Sequence, residues 1–313
     1  MAQHGNTIAC QGLTKHYGAV QALRGLDLAV PEGAIFGFLG PNGAGKTTAI
    51  KLLTGLSRPT AGRAWVAGHE VAFNRQAMRA HIGYLAEEPA FYSWLSGREF
   101  LTYVGRLFGL GGRELTKRLD ELLALADLGA AARRRIGGYS RGMRQRLGIA
   151  QAMINRPAVL FLDEPCSALD PLGRKEILQV IARLRGQATV FMSTHILADV
   201  ERACDTVGII DQGRLVVQAP IEELRERYAA PVFLVEVEAS EGRLAALADS
   251  LRKLPWVARL EVGENRLRLS ARDLAAAKRE LPGLVAASGL TLLRYELALP
   301  SLEDVFVQLV EGG

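Results

Sequence analysis

The sequence predicts an α/β domain followed by a smaller α+β domain, and three observations support this division. Over residues 1–230, short apolar runs alternate with stretches of helical periodicity, which is the pattern of an α/β domain. Residues 95–152 interrupt the alternation with long helical periodicity, so we interpret them as an inserted helical subdomain. Over residues 231–313 the order of elements becomes βαββαβ, which is typical of a ferredoxin-like sandwich.

The α/β interpretation of the first domain depends on a few short segments. Ala34–Leu39 is an apolar run that predicts a strand, and the helical spacing of Lys46–Leu56 predicts the helix after it. Val159–Leu162 and Thr189–Met192 are mostly apolar, as buried parallel strands are. Gly173–Arg185 is amphipathic and predicts the crossover helix that joins them.

The second domain is predicted from alternation and from helical periodicity. Strands are expected at 233–239, 257–262, 266–269 and 290–297, and helices at 241–253 and 271–288. A last helix is expected over Ser301–Val310, because Ser301 and Asp304 form an S-x-x-D capping signal. We find no catalytic constellation in this part of the sequence.

Composition excludes several classes of function. The net charge is +5, but the arginines are scattered, and no basic stripe carries the interleaved aromatics of a single-strand binder, so we expect no nucleic-acid partner. Three cysteines at wide spacings fit neither a disulfide framework nor a zinc site, and they favour a reducing cytosol. No apolar run approaches the length of a membrane helix, and residues 1–10 are polar, so we expect no signal peptide in them.

A phosphate-binding loop follows the first apolar strand. The segment satisfies G-x-x-x-x-G-K-[ST] in full, between a predicted strand and a predicted helix, and it comprises Gly40, Pro41, Asn42, Gly43, Ala44, Gly45, Lys46, Thr47 and Thr48. Its glycines let backbone N–H groups surround a phosphate, and the helix directs its positive end at the anion. Lys46 places an ammonium on the β- and γ-phosphates, and the Thr47 hydroxyl can bind Mg²⁺. The segment therefore predicts binding of ATP with Mg²⁺.

Two carboxylates end a second apolar strand and complete the expected site. Asp163 and Glu164 follow the run 158–162, where the chain turns and both side chains can reach a nucleotide. Asp163 would bind Mg²⁺, and Glu164 would orient and deprotonate the attacking water. Together with the phosphate loop, this pair predicts an ATP-hydrolysing enzyme.

With these motifs, the sequence resembles the nucleotide-binding subunit of an ABC transporter over about residues 8–228. Tyr17 resembles the aromatic residue that stacks on adenine in that family. Residues 139–143, the signature segment, fall where the family has Leu-Ser-Gly-Gly-Gln, which implies that Ser140 and Gly142 donate to a γ-phosphate. His195 matches the family's switch histidine, whose implied role is to contact the γ-phosphate and help order the attacking water.

Residues 167–170 also match the family, because they resemble its D-loop. The resemblance places Asp170 among the nucleotide-binding residues, although a position before Pro171 also suits the N-cap of the next helix. The C-terminal residues 300–306 resemble the branch of exporters that pair with ABC-2-type membrane subunits.

The sequence departs from the family pattern at two places. Glu87 stands where the family's Q-loop commonly has glutamine, and its carboxylate can still accept a hydrogen bond from water on Mg²⁺, so we include it in the metal site. In the signature segment, Arg141 replaces a glycine and Met143 replaces the glutamine. These departures concern coupling between parts of the transporter more than nucleotide binding.

The resemblance also implies partners and a location. One chain has one phosphate loop and one signature segment, so two copies should enclose two ATP molecules head to tail in a C2 homodimer. An integral membrane permease on a separate chain would dock near Glu87, which places this chain at the cytoplasmic face of the cell membrane. Phe91, Tyr92 and Trp94 either line that docking groove or pack inside the helical subdomain.

Two alternatives to an exporter ATPase fit the sequence less well. A soluble ABC-type ATPase acting on nucleic acid or ribosomes would carry a long coiled coil, or two cassettes, and this chain has one cassette with a helical subdomain in that space. A nucleotide-binding regulator without catalysis is disfavoured because Lys46, Asp163, Glu164 and His195 are all present.

Overall fold

Two compact units make up the chain, residues 1–221 and 222–313. The computed structural model describes residues 5–71, 75–227, 232–238 and 242–298. The domain boundary predicted between residues 230 and 231 lies outside the described residues and stays a prediction. Within the described residues, no helix is both long and apolar enough to cross a bilayer.

A six-stranded sheet forms the centre of the first unit. From one edge to the other its strands are Arg214–Pro220 (β10), Thr206–Asp211 (β9), Ile35–Leu39 (β3), Thr189–Thr194 (β8), Val159–Asp163 (β7) and Ile82–Leu85 (β6). The five strands from β9 to β6 are parallel, and β10 joins the edge in antiparallel orientation. Every residue of β3, β7 and β8 is buried, which explains their continuous apolar sequences.

A second, antiparallel sheet packs against this core, and the sequence analysis did not predict it. Its strands, in order, are Val20–Pro31 (β2), Asn6–Tyr17 (β1), Ala61–Val66 (β4) and His69–Glu70 (β5). Ile8, Leu13 and Leu26 point inward and join one buried cluster with Phe36 and Phe161 of the central sheet. The loop between β3 and the next helix is thus held between two sheets.

The helices of the first unit cover both faces of the central sheet or lie in the insertion. They are Lys46–Leu53 (α1), Arg75–Arg79 (α2), Gly97–Leu107 (α3), Gly112–Leu125 (α4), Arg141–Ala152 (α5), Pro171–Arg183 (α6) and Leu197–Ala203 (α7). Helix α8, Ile221–Arg227, begins at the last residue of this unit and continues into the second. Helix α1 is three residues shorter than predicted. Gly55 adopts φ 69° and donates its N–H to the Leu52 carbonyl, which closes the helix with a left-handed turn.

The insertion is helical, as predicted, and its longest helices are held by a buried arginine. Arg118 on α4 donates to the carbonyls of Met153 and Ile154, just beyond the last turn of α5. Only 9% of Arg118 is exposed, and its remaining partner is Glu121, 3.2 Å away. Because the last carbonyls of a helix lack intrahelical donors, Arg118 supplies the C-terminal cap of α5.

Replacing Arg118 by methionine is expected to destabilise the protein by about 2 kcal/mol, because two buried carbonyls lose a charged donor. Urea unfolding of the full chain measures this change. The matched control is Arg113→Met, an exposed position on the same helix, which should change the free energy of unfolding by less than about 0.5 kcal/mol. An equal effect of the two variants would contradict the capping role.

The second unit is a ferredoxin-like sandwich, as predicted. Its elements, in order, are Val232–Val237 (β11), Arg243–Leu251 (α9), Val257–Val262 (β12), Arg266–Ala271 (β13), Leu274–Ala287 (α10) and Leu292–Ala298 (β14). The antiparallel sheet has the order β12-β13-β11-β14, and both helices contribute to its buried apolar cluster. The helix predicted over residues 301–310 lies outside the described residues.

All three cysteines are buried as free thiols. Cys10 lies in the antiparallel sheet, while Cys166 and Cys204 lie in the first unit's core. Burial, assisted by the negative charge of Asp27, raises the pKa of Cys10 to about 12. Burial also raises the pKa of Cys166 and of Cys204 well above that of an exposed thiol.

Candidate functional site

The predicted site residues meet at one edge of the central sheet. Strands β3, β7 and β8 are neighbours and parallel, so their carboxyl ends lie at the same edge. The register pairs Leu39 with Thr194 and Asp163 with Ser193. The chain leaves these strands through the phosphate loop, through Glu164 and through His195.

The phosphate loop requires glycine at two positions for different reasons. A Cβ on Gly40 would lie 2.2 Å from the backbone oxygen of Ile210, so nothing larger fits against β9. Gly45 precedes α1 with φ 107°, and a Cβ there would lie 2.6 Å from the Ala22 oxygen. The loop therefore has the backbone geometry that a phosphate cradle needs, packed between the two sheets.

Lys46 begins α1 and lies inside the loop. Its Nζ donates to the Gly40 carbonyl at 2.7 Å and to the Pro41 carbonyl at 3.1 Å, and it pairs with Glu164 Oε1 at 3.2 Å. Only 6% of Lys46 is exposed. The ammonium has three donors, and it thus has one acceptor for each: two loop carbonyls and the Glu164 carboxylate.

Glu164 connects the loop lysine to the predicted switch histidine. One carboxylate oxygen faces Lys46, and the other lies 2.9 Å from Nδ1 of His195. Its backbone is in the left-handed region, with φ 46°, and its N–H donates to Ser193 Oγ at 3.0 Å. This uncommon conformation turns the chain sharply after β7 and directs the carboxylate back toward the phosphate loop.

Asp163 is 2% exposed and accepts two hydrogen bonds on Oδ1. The Thr47 hydroxyl donates at 3.1 Å and the Ser193 hydroxyl at 2.7 Å. Burial raises the pKa of Asp163, and the negative charges of Glu164 and Glu87 add to the effect, while the two hydrogen bonds oppose it. A cation at this position would relieve the accumulated negative charge.

The donor set fits a hard cation of the magnesium type. The oxygens of Thr47 and Asp163 lie together at the start of α1, and oxygen donors are those that Mg²⁺ prefers. The described residues contain no cluster of three or more His, Cys, Asp or Glu side chains that would hold a metal without a ligand. Any Mg²⁺ here would accordingly share its coordination with water and a bound phosphate.

Glu87 lies after β6, near this site, and is held from two sides. Its Oε1 accepts a hydrogen bond from the Ser167 hydroxyl at 3.0 Å. Its backbone carbonyl accepts one from the side chain of Gln145 on α5, at 2.9 Å. In this arrangement the Glu87 carboxylate bonds to the predicted D-loop, and its predicted role as a metal residue stays a prediction.

The other predicted nucleotide residues make no described hydrogen bond to the phosphate loop. Tyr17 ends β1, half exposed, with the Lys15 ammonium 4.8 Å from its ring centroid. Ser140 is the N-cap of α5, and Gly142 follows in the first turn. Asp170 is the N-cap of α6, and its Oδ1 accepts from the Gly173 N–H at 3.0 Å. The capping alternative for Asp170 is thus observed, and its nucleotide role stays a prediction.

Three members of the loop have no special contact with the catalytic groups. Ala44 is buried, and its carbonyl accepts the N–H of Gly213. Thr48 is half-buried in the first turn of α1, and Asn42 is exposed. They are available as backbone or side-chain contacts for a ligand that enters the loop.

Sequence reasoning gave no role to Ser193, which the structure places between the two acidic residues. Its hydroxyl donates to Asp163 and accepts from the N–H of Glu164. The available signal was a polar residue at the buried end of an apolar strand, where a hydroxyl needs a partner. Ser193 thus fixes both carboxylates relative to β8.

The sequence also did not predict a buried ion pair between helices α6 and α7. Asp199 on α7 is 1% exposed and accepts a hydrogen bond from Arg174 Nε on α6. Burial raises the pKa of Asp199, and Arg174 opposes that rise. The pair joins the helix after the predicted D-loop to the helix after His195.

Replacing Arg174 by leucine is expected to destabilise the protein by about 3 kcal/mol at neutral pH, because Asp199 becomes an unpaired buried charge. Without Arg174 the native pKa of Asp199 rises further above its unfolded value. The native state then holds the proton of Asp199 more tightly than the unfolded state does. The free energy of unfolding therefore falls as pH rises between the unfolded and the native pKa of Asp199. Urea unfolding should show a smaller loss at about pH 5 than at about pH 8; a loss independent of pH would contradict the explanation.

Family models match both parts of the chain. The model described as "ABC transporter" matches residues 23–167. The model described as "ATP-binding protein DrrA1-3-like, C-terminal domain" matches residues 220–310. The first match contains the phosphate loop and both carboxylates, and the second contains the ferredoxin-like unit.

Whole proteins and solved structures are similar as well. The uncharacterized ABC transporter ATP-binding protein YxlF of Bacillus subtilis (strain 168) is 38% identical, and the match covers 97% of this chain and 100% of YxlF. The daunorubicin resistance ATP-binding protein DrrA2 of Streptomyces coeruleorubidus is 39% identical, over 97% of this chain and 95% of DrrA2. A solved structure of an ATP-binding subunit of an ABC transporter matches with TM-score 0.63 and 30% identity, over 71% of this chain and 93% of that one.

Proposed function

Because the chain belongs to the ABC transporter ATP-binding proteins, and is thus a transport ATPase, we propose that it drives export through a separate membrane subunit. The similarity to a daunorubicin resistance protein and to the C-terminal domain of that group supports the direction of transport. The nucleic-acid alternative is not favoured, since the relatives are transporter proteins.

The observation that carries the proposal is the continuous set of contacts Lys46–Glu164–His195 beside the Thr47–Asp163 pair. A phosphate in the loop would exchange one of the Lys46 contacts for its own oxygens, which brings the ammonium onto the β- and γ-phosphates. Glu164 would then be released to face the water that attacks the γ-phosphate. Its carboxylate takes the proton as the water oxygen bonds to the γ-phosphorus, while the bond from that phosphorus to the bridging oxygen breaks and ADP leaves.

His195 is placed to assist this step. Its Nδ1 lies on the Glu164 carboxylate, and its side chain is about two-fifths exposed at the same edge of the sheet. An imidazole in that position can orient Glu164 and contact the γ-phosphate with its other nitrogen. We therefore assign His195 the role of keeping the Glu164 carboxylate and the γ-phosphate in the correct relative position.

Magnesium would be held by Thr47 and Asp163 together with phosphate oxygens, and Glu87 would act through a bound water. The ion would supply positive charge that stabilises the transferring phosphoryl group. Asp163 and Thr47 are already in contact in this structure, so little rearrangement of the protein is required. Ser193 keeps the Asp163 carboxylate in place.

A second copy of the chain would complete the nucleotide site. Ser140 caps the N-terminus of α5, whose first N–H groups and positive end suit a phosphate. The signature segment makes no hydrogen bond to the phosphate loop of the same chain within the described contacts. We therefore propose a C2 homodimer in which Ser140 and Gly142 of one copy contact the ATP held by the other.

The membrane subunit would dock on the helical insertion, which keeps the chain at the cytoplasmic face of the membrane. Trp94 and Tyr92 are 65% and 44% exposed, and their rings lie 5.1 Å apart. Phe91 instead packs edge-on against Phe100. Of the three aromatic residues proposed for the groove, two are thus exposed to a partner, whereas the half-buried Phe91 packs on the subdomain.

The test uses the purified full chain, alone and with a candidate membrane subunit encoded by a neighbouring gene. We expect Mg²⁺-dependent ATP hydrolysis, a shift from monomer to dimer on addition of ATP in sedimentation, and co-purification with that membrane protein. Failure to bind any membrane protein, combined with co-purification with ribosomes or DNA, would overturn the proposal. A Trp94→Ala/Tyr92→Ala variant should weaken only the membrane interaction.

A further inference from the structure

Two departures from the family pattern line one small cavity. Glu87 replaces a neutral glutamine and adds a negative charge, whereas Arg141 replaces a neutral glycine and adds a positive one. Both border a cavity of about 340 Å³, whose other lining residues are Glu88, Pro89, Arg144 and Gln145. The two departures add opposite charges, so the net charge of this cavity is the same as it would be with a glutamine and a glycine.

Helix α5 begins with a charge arrangement that is unfavourable in isolation. Arg141 is its first residue and Arg144 its fourth, and no acidic residue lies in its first turn. The N-terminal end of a helix carries partial positive charge, so cations there cost stability and anions contribute it. Within the described contacts, neither guanidinium forms an ion pair or hydrogen bond, and two acidic residues, Glu87 and Glu88, line the same cavity.

Glu87 is fixed in position to provide that negative charge. The Gln145 side chain, buried on α5, donates to the backbone carbonyl of Glu87, and the Ser167 hydroxyl donates to its carboxylate. Gln145 lies four residues after Arg141, so the two share one face of α5. The segment after β6 and the start of α5 therefore face each other with opposite charges.

We propose that Glu87 and Arg141 are positioning residues that act as a charge pair within one chain and hold the signature segment against the segment after β6. Glu87 supplies the anion that the N-terminus of α5 lacks, and Arg141 balances the carboxylate that Glu87 adds beside Asp163 and Glu164. The consequence for nucleotide binding rests on the proposed function, because the signature segment is there assigned to the partner's ATP. The proposed charge pair itself involves residues of a single chain and does not depend on the dimer.

The test is a double-mutant cycle on the nucleotide-free full chain, followed by hydrogen exchange of the amides of residues 143–147. Glu87→Gln should speed exchange about threefold, because the helix start loses its anion. Adding Arg141→Gln to that variant should return exchange to the parental rate, whereas Arg141→Gln alone should change it little. The effect of Arg141→Gln thus depends on Glu87, and the dependence should shrink when salt rises from about 50 to 500 mM.

Two controls separate charge from helix propensity. Arg141→Lys keeps the cation and should exchange like the parent. Arg113→Gln removes an exposed arginine from the start of α4, outside the cavity, and should have the same effect with and without Glu87. Equal effects of Arg141→Gln in the parent and in Glu87→Gln would overturn the inference.

The ATP concentration that gives half-maximal dimerisation is measured on the same variants. Glu87→Gln should need about threefold more ATP than the parent, and adding Arg141→Gln should lower that requirement again. If the parent fails to dimerise with ATP, the proposed homodimer is wrong, while the exchange measurements still decide whether the charge pair exists. If the parent dimerises with ATP, and the effects of Glu87→Gln and Arg141→Gln on the exchange rate add independently, only the charge pair is wrong.

Discussion

Replacing Glu164 by glutamine is expected to lower the rate of ATP hydrolysis by about 100- to 10,000-fold, because the variant loses the base that accepts the proton of the attacking water. ATP binding should be kept. Glutamine has the same shape, and its amide can still accept from Lys46 and donate to His195, which are the two contacts of Glu164 in the structure.

Phosphate release and equilibrium binding of a fluorescent ATP analogue separate the two effects. Glu114→Gln, an exposed position on α4, is the matched control and should hydrolyse ATP at the parental rate. Because hydrolysis would dissolve the proposed dimer, Glu164→Gln should also accumulate as a dimer in the presence of ATP. Unchanged phosphate release from this variant would show that Glu164 is not the base.

Replacing Lys46 by methionine is expected to weaken ATP binding about 100-fold, since charge-assisted hydrogen bonds to the phosphates are lost. Hydrolysis should fall as well, because the same ammonium neutralises charge on the transferring group. The chain should stay folded, because the methionine stem fills the space of the lysine stem inside the loop, but the loss of the ion pair with buried Glu164 should lower its unfolding temperature by a few degrees.

Lys51→Met is the matched control, since Lys51 lies on the same helix α1 and is exposed. Isothermal titration with ATP and thermal unfolding are measured on both variants. Lys51→Met should bind ATP like the parent, and both variants should unfold within a few degrees of it. Parental ATP affinity in Lys46→Met would contradict the assignment of the loop.

The nucleotide site was largely predictable because its chemistry is encoded in short segments. Gly40 and Gly45 have neighbours that exclude any side chain, and Lys46 and Thr47 act from the first turn of one helix. Parallel strands bring their carboxyl ends to one edge, so Asp163 could be placed near Lys46 without knowing the sheet order. Local motif and sheet geometry together decide these positions.

What sequence reasoning missed depends on pairings between distant segments. The role of Ser193 follows from its register opposite Asp163, and that register exists only once β7 and β8 are neighbours. The antiparallel sheet of residues 6–70 was hidden because β1 and β2 are interrupted by register shifts, which break the alternation that would predict them. The contact between Glu87 and Ser167 likewise joins residues 80 positions apart.

The buried cysteines have a practical consequence for observing this protein at work. Maleimides and other alkylating probes react with exposed thiolates, and here the thiols are both enclosed and reluctant to ionise. A single cysteine introduced at an exposed position should therefore take a fluorophore selectively, with Cys10, Cys166 and Cys204 left in place. The native thiols would stay unreactive until the surrounding structure unfolds. Brief pulses of alkylating reagent would then measure how fast the structure around each cysteine unfolds.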